Sequence, residues 1–170
     1  LKYFENKDLT DASLILTGDL VRNYSYENLL IAKNQIELLF ENYYIVPGNH
    51  DVELGNAFYE IFEDDFFSLE INDILLIGAN FNTPNWLPTV YHQNLINDLI
   101  NTTDKKEIYL FSHQVFWYDQ FPDEQIVNSF ALLESTTNPR ILTDWLDIKE
   151  KKLTIISGDS GAWGQKPFCK

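Results

Sequence analysis

The chain alternates short apolar runs with stretches in which apolar residues recur every third or fourth position. Runs at 13–17, 43–46, 66–70, 74–78, 108–112 and 153–157 have the length and composition of buried strands, most of them bounded by Gly, Pro, Asn, Asp or Ser. Between the first two, Tyr26, Leu29, Leu30, Lys33, Ile36, Glu37 and Phe40 share one face at helical spacing, which predicts an amphipathic helix from Tyr26 to Phe40 that returns the chain for a parallel strand. Leu95, Ile96, Leu99 and Ile100 mark a second helix over 92–100, and Ile141, Leu142, Trp145 and Leu146 a third over 139–148. The runs ending at Ile71 and beginning at Ile74 flank Asn72-Asp73, a tight hairpin turn. Strands joined by helices, with one hairpin, predict an α/β fold on a mixed sheet system.

Two segments break the alternation. Residues 80–89 carry two prolines, three asparagines and Trp86, and residues 114–138 form a long aromatic and acidic connection of weak periodicity. Connections of that length are usually functional or disordered. Neither behaves as a linker, and with 170 residues, 45% of them hydrophobic, residues 1–170 are expected to form a single domain. The chain opens on Leu1, holds no methionine and stops shortly after its last strand, so the domain is expected to be truncated at both ends.

Charge narrows the partners. Twenty-six acidic residues against twelve basic ones leave a net charge of −14, which repels a phosphate backbone at long range and argues against nucleic acid. Cys169 is the single cysteine, so neither an intrachain disulfide nor a thiolate metal cluster can form within the chain. No stretch reaches the roughly 20 apolar residues of a membrane span, and no membrane partner is expected. Composition leaves the compartment open.

The strand ends carry the chemistry. Gly18-Asp19, Gly48-Asn49-His50-Asp51, Ser112-His113 and Gly158-Asp159 each follow an apolar run, where open α/β sheets place their sites, in the crevice beyond the strand tips. Taken alone, Asp19 reads as a turn or helix-cap residue and His113 as a core histidine; the ordered set is what points to a site. A glycine before three of these ligand-type residues suits a backbone that turns sharply at a strand tip.

This ordered set resembles the calcineurin-like metallophosphoesterase superfamily, whose motifs include GD, GNHD, a lone His after a strand, and GHxH. Gly18-Asp19, Gly48-Asn49-His50-Asp51 and His113 meet the first three. The resemblance implies a two-sheet αββα sandwich, here an incomplete domain, and a metal-dependent phosphoesterase that hydrolyses a phosphomonoester or phosphodiester through metal-bound hydroxide. It implies one or two divalent ions, Mn, Fe, Zn or Mg, held by Asp19, Asn49, His113 and Asp159. Carboxylate, amide oxygen and imidazole are a mixed donor set that suits those ions. It implies further that His50 protonates the leaving oxygen or stabilises the transition state while Asp51 holds the imidazole. The substrate would be a small or macromolecular phosphoester.

The sequence departs from the pattern twice. Residues 1–18 contain no histidine, so the Asp-x-His motif that opens the family is expected upstream of Leu1. GHxH appears as Gly158-Asp159-Ser160-Gly161, where Asp159 can replace a histidine ligand and Gly161 cannot. These departures support an alternative: a degenerate member that keeps the scaffold as a binding protein. The same GDSG mimics a serine-protease nucleophile motif, but an α/β pattern with no histidine after Ser160 excludes both the trypsin-like and the Gly-Asp-Ser esterase readings. Trp86, Trp117 and Trp163 are candidates for a substrate pocket or for packing; His92 is expected on the surface and Glu63-Asp64-Asp65 in a solvated loop.

Overall fold

The computed structural model describes residues 12–53, 55–83, 88–114, 145–148 and 150–159. Strand β1 (Ser13–Leu16) leads to helix α1 (Tyr26–Glu37) and strand β2 (Asn42–Ile45); the short helices α2 (Asn49–Val52) and α3 (Ala57–Phe62) follow. Strands β3 (Phe66–Ile71) and β4 (Ile74–Ala79), helix α4 (Val90–Thr102) and strands β5 (Glu107–Ser112) and β6 (Lys152–Ser157) complete the order. The six strands stand where the apolar runs predicted them, each within a residue or so of the expected bounds.

Two sheets result. β1 and β2 pair in parallel, with Leu16 opposite Ile45. The second sheet has the order β3-β4-β5-β6; β3 and β4 are antiparallel, whereas β4–β5 and β5–β6 are parallel. The hairpin closes between Ile71 and Ile74, and Asn72 takes a φ of 52°, a left-handed conformation that asparagine tolerates better than most residues.

Helices cover both outer faces. Leu29 and Ile36 of α1 pack with Ala57, Phe58 and Ile61 of α3 on Ile45 of β2. Phe58 is fully buried at the centre of this layer, a contribution of roughly 1.5–3 kcal/mol from apolar burial. On the other side, Leu75, Ile77 and Ala79 alternate along β4 towards Ile96 and Ile100 of α4 and Ile108 and Leu110 of β5. Between the sheets runs an aromatic seam, with the Tyr44 and Phe67 rings 5.1 Å apart and Phe67 and Phe111 6.1 Å apart. A Cβ on Gly78 would overlap the Phe67 ring, so glycine in β4 makes room for the seam. This is the αββα sandwich that the motifs implied.

The structure revises several details. Ser25 caps α1, its Oγ accepting from the Asn28 N–H at 3.0 Å, but the helix stops at Glu37. The N–H groups of Leu39 and Phe40 both turn back to the Ile36 carbonyl, which tucks Phe40 into the core without continuing the helix. Thr89 caps α4 through His92 N–H at 3.2 Å, so that helix begins before His92. His92 is buried, contrary to the surface position expected for it, and stacks on Phe66 with centroids 5.5 Å apart. It precedes Ile96 and Ile100 by four and eight positions and so shares their inward stripe.

Asp65 is likewise not a solvated loop residue. Its Oδ2 accepts from Asn80 Nδ2 at 2.9 Å and the Tyr59 hydroxyl at 3.2 Å, and its Oδ1 lies 3.6 Å from His92 Nε2. Burial first, and then Asp65, pushes the Tyr59 hydroxyl above its ordinary pKa. Glu63 and Asp64 are exposed, as expected. Residues 145–148 are turn and irregular chain; the rest of the helix expected over 139–148 lies outside the described residues. Trp145 and Leu146 nevertheless pack on the α4 side of the second sheet, as their stripe predicted. Also outside the described residues lie Trp86, Trp117, Trp163, Gly161 and residues 115–138 of the long connection.

Candidate metal centre

Backbone contacts bring the four strand ends to one place. β1 ends at Leu16, and after Thr17 the chain turns through two successive positive-φ residues, Gly18 at 87° and Asp19 at 54°. A non-glycine residue in that region is uncommon and is held by its surroundings. Here the Asp19 carboxylate is the restraint: its Oδ1 accepts the His50 N–H at 3.2 Å, across from the start of α2.

Three glycines allow this convergence. A Cβ on Gly18 would strike the Gly48 N and Cα and come within 2.7 Å of His113 Nδ1. One on Gly48 would strike the Asp19 backbone and carboxylate, and one on Gly158 the Thr17 carbonyl. Of these three, only Gly18 has a positive φ; Gly48 sits at −86°. The expectation that all three glycines serve sharp turns is therefore corrected: Gly48 and Gly158 serve close approach between strand tips.

His113 is 2% exposed, and its ring is fixed from both sides. Nδ1 lies 2.7 Å from the Thr17 carbonyl, which can only accept, so the proton sits on Nδ1. The Nε2 atom is buried, makes no hydrogen bond among the described residues and faces Asp19 Oδ1 at 3.4 Å. A carboxylate oxygen and an imidazole nitrogen aimed at one another are a ligand pair that a divalent ion can share. Imidazole oriented by a carbonyl on its far nitrogen is also the usual arrangement of a metal-ligating histidine. The donor pair fits a divalent ion.

The other two expected ligands are tied to this pair through the backbone. Asn49 is half-buried at the first position of α2, next to the residue whose N–H holds Asp19. Asp159 is buried at the tip of β6, and its N–H donates to the His113 carbonyl at 2.9 Å, which ties the fourth strand end to the third. Among the described residues, no three His, Cys, Asp or Glu side chains are grouped tightly enough to hold a metal ion; within the expected set, Asp19 and His113 are the two that meet.

Asp51 and His50 take different surroundings. Asp51 is completely buried. Its Oδ2 accepts the Gly48 N–H at 2.9 Å and its Oδ1 the Val21 N–H at 3.3 Å, so the carboxylate caps the start of α2 and ties it to the chain beyond Asp19. Burial pushes its carboxyl above the usual range, while the two N–H donors pull it back. The His50 ring is partly exposed, and the carboxylate nearest its Nδ1 is that of Glu53, at 3.9 Å. An exposed pair at that separation is weakly held. Asp51→Asn keeps one acceptor but turns an NH2 towards the second N–H. The unsatisfied donor outweighs the relief of a buried charge, and a net loss of about 1 kcal/mol is expected in a urea unfolding midpoint. An Asp51→Asn variant as stable as the parent would show that the burial penalty dominates.

A cavity of about 580 Å³ opens on the α1 side of the site. It is lined by Asp19 together with Leu16, Leu20, Ile31 and Ile36, but by none of Asn49, His50, His113 and Asp159. It therefore borders the convergence point without being the crevice that the motifs share.

Sequence comparison agrees with this geometry. Residues 1–165 match the model of the calcineurin-like phosphoesterase family, and the chain belongs to that family. Its members are in general hydrolases of phosphoesters that use divalent metals. No curated protein matches the chain. Among the described residues, no helix is long and apolar enough to cross a membrane.

Proposed function

We propose that this chain hydrolyses a phosphomonoester or phosphodiester at the convergence of its strand tips, with Asp19, Asn49, His113 and Asp159 as the metal-holding residues. The observation that carries the reading is the buried Nε2 of His113, without a hydrogen bond among the described residues, facing the Asp19 carboxylate at 3.4 Å. Divalent ions, when bound, supply charge neutralisation at the phosphoryl oxygens and lower the pKa of the attacking water.

The chain's own residues do the rest. The Thr17 carbonyl, 2.7 Å from His113 Nδ1, orients the ring so that Nε2 faces Asp19. The His50 N–H aims Asp19 Oδ1 inwards. The His50 ring, half-exposed one residue beyond Asn49, is placed to give a proton to a leaving oxygen bound beside it. Asp51 contributes indirectly, by fixing the first turn of α2 from which Asn49 and His50 project.

The test is hydrolysis of an aryl phosphate and a bis-aryl phosphodiester by the full chain with Mn, Mg, Zn or Fe, with and without chelator. Activity is expected only with metal, and His50→Ala should lower kcat by about 100-fold with metal binding kept, the contribution of one general acid. Hydrolysis that survives chelation, or a His50→Ala variant as fast as the parent, would sink the mechanism. A second reading, a degenerate scaffold that binds phosphoesters without turnover, draws on the lack of a three-residue metal cage among the described residues. It predicts metal or ligand binding by calorimetry with no hydrolysis of either substrate.

A further inference from the structure

We propose that Asn82 is a positioning residue whose side-chain amide clamps the Pro47–Asn49 turn to the His113 strand tip, fixing the separation of two ligand-bearing segments. The inference rests on the phosphoesterase reading for its effect on metal binding, but its geometry stands by itself. Residues 80–83 leave β4 in the Pro- and Asn-rich segment that breaks the alternation of strands and helices.

The Asn82 carboxamide is used on both sides. Its Nδ2 donates to the Pro47 carbonyl at 2.7 Å and to Asn80 Oδ1 at 2.8 Å, and its Oδ1 accepts from Gln114 Nε2. Pro47 immediately precedes Gly48-Asn49, and Gln114 immediately follows His113. One side chain thus spans the β2 and β5 tips, 67 residues apart in the chain (114 minus 47).

Both anchors are themselves held. Gln114 is completely buried, and its carbonyl accepts from the Ser112 hydroxyl at 2.8 Å and the Ser157 hydroxyl at 2.9 Å, which locks it to β5 and β6. Asn80 accepts the Asn82 N–H at 2.7 Å and reaches Asp65 and Tyr59 through its own Nδ2. Among the described residues, the buried Oε1 of Gln114 has no hydrogen-bond partner. An unpaired buried acceptor is costly. What Gln114 secures in return is the Nε2 contact with Asn82.

Asn82→Asp is the direct test, because it is isosteric, keeps the acceptor for Gln114 and replaces both donations with a negative oxygen facing two acceptors. In the full chain, amide hydrogen exchange across residues 46–53 is expected to accelerate about tenfold, as for the loss of one buried hydrogen bond, with β4 and β5 still protected. The Mn concentration for half-maximal hydrolysis of an aryl phosphate is expected to rise roughly 10–100-fold, as for other residues that orient metal ligands. At saturating Mn, kcat should return to within about twofold of the parent, a split that general destabilisation does not produce.

Unchanged exchange over residues 46–53, or a fall in kcat at saturating Mn with the half-saturating concentration unmoved, would overturn the inference. If the Asn82→Asp variant does not fold, Gln114→Met severs the clamp from the other end, and the same pair of shifts decides the matter. A parent protein without metal-dependent hydrolysis would refute the phosphoesterase reading alone, and the exchange result would still decide whether Asn82 clamps the turn.

Discussion

Asp19→Asn is expected to lower metal-dependent hydrolysis by about 1000-fold or more, since several kcal/mol of charge stabilisation is at stake and each tenfold in rate is about 1.4 kcal/mol. The substitution is nearly isosteric and leaves an oxygen to accept the His50 N–H, so the Gly18-Asp19 turn should survive. What disappears is the negative charge that faces the buried His113 Nε2 at 3.4 Å. Calorimetric titration with Mn should show weaker binding in parallel with the loss of rate, while the thermal melt of the metal-free protein stays close to the parent. Retention of full activity by the Asp19→Asn variant would remove Asp19 from the site.

Gly18→Ala is expected to cost about 3 kcal/mol or more in stability. Two costs add. A φ of 87° strains any residue with a Cβ by roughly 1–2 kcal/mol. The new methyl would also meet the Gly48 backbone and His113 Nδ1. Overpacking against a rigid backbone costs roughly 1–3 kcal/mol more, because no flexible side chain is there to yield. The strand tips would have to separate, so the loss should appear both in a denaturant midpoint and in metal affinity. A variant whose unfolding curve overlays that of the parent would show that this approach is looser than the contacts indicate.

Much of the architecture was legible along the chain because strands and helices write their burial into local spacing. Leu75, Ile77 and Ala79 alternate on β4, and Leu29 and Ile36 recur on α1, so each element announces its inward face without reference to the rest of the fold. The same logic would have placed His92 inside, since it stands four residues before Ile96; its polarity, taken residue by residue, concealed the stripe. α2 and α3 escaped notice because helices of four and six residues hold too few apolar positions to show a period.

The site divides in a similar way. Gly18-Asp19, Gly48-Asn49-His50-Asp51, His113 and Asp159 could be picked out as chemistry at strand ends, and the family follows from them. Their individual duties could not. The family resemblance pairs Asp51 with His50, while in the structure the Asp51 carboxylate accepts from the Gly48 and Val21 N–H groups. Asn82 and Gln114 carried no motif at all; the available signal was that Gln114 adjoins His113.

By itself, then, the sequence determined the six strands, the two longer helices within a few residues, and which residue types arrive at the strand tips. Tertiary structure alone decided that Gly48 and Gly158 are points of close approach, that His113 is oriented by Thr17, and that Asn82 joins two tips. The physical reason is range. Periodicity is set by neighbours two to four positions away, whereas the His113–Thr17 contact joins residues 96 apart and exists only once the two sheets have packed.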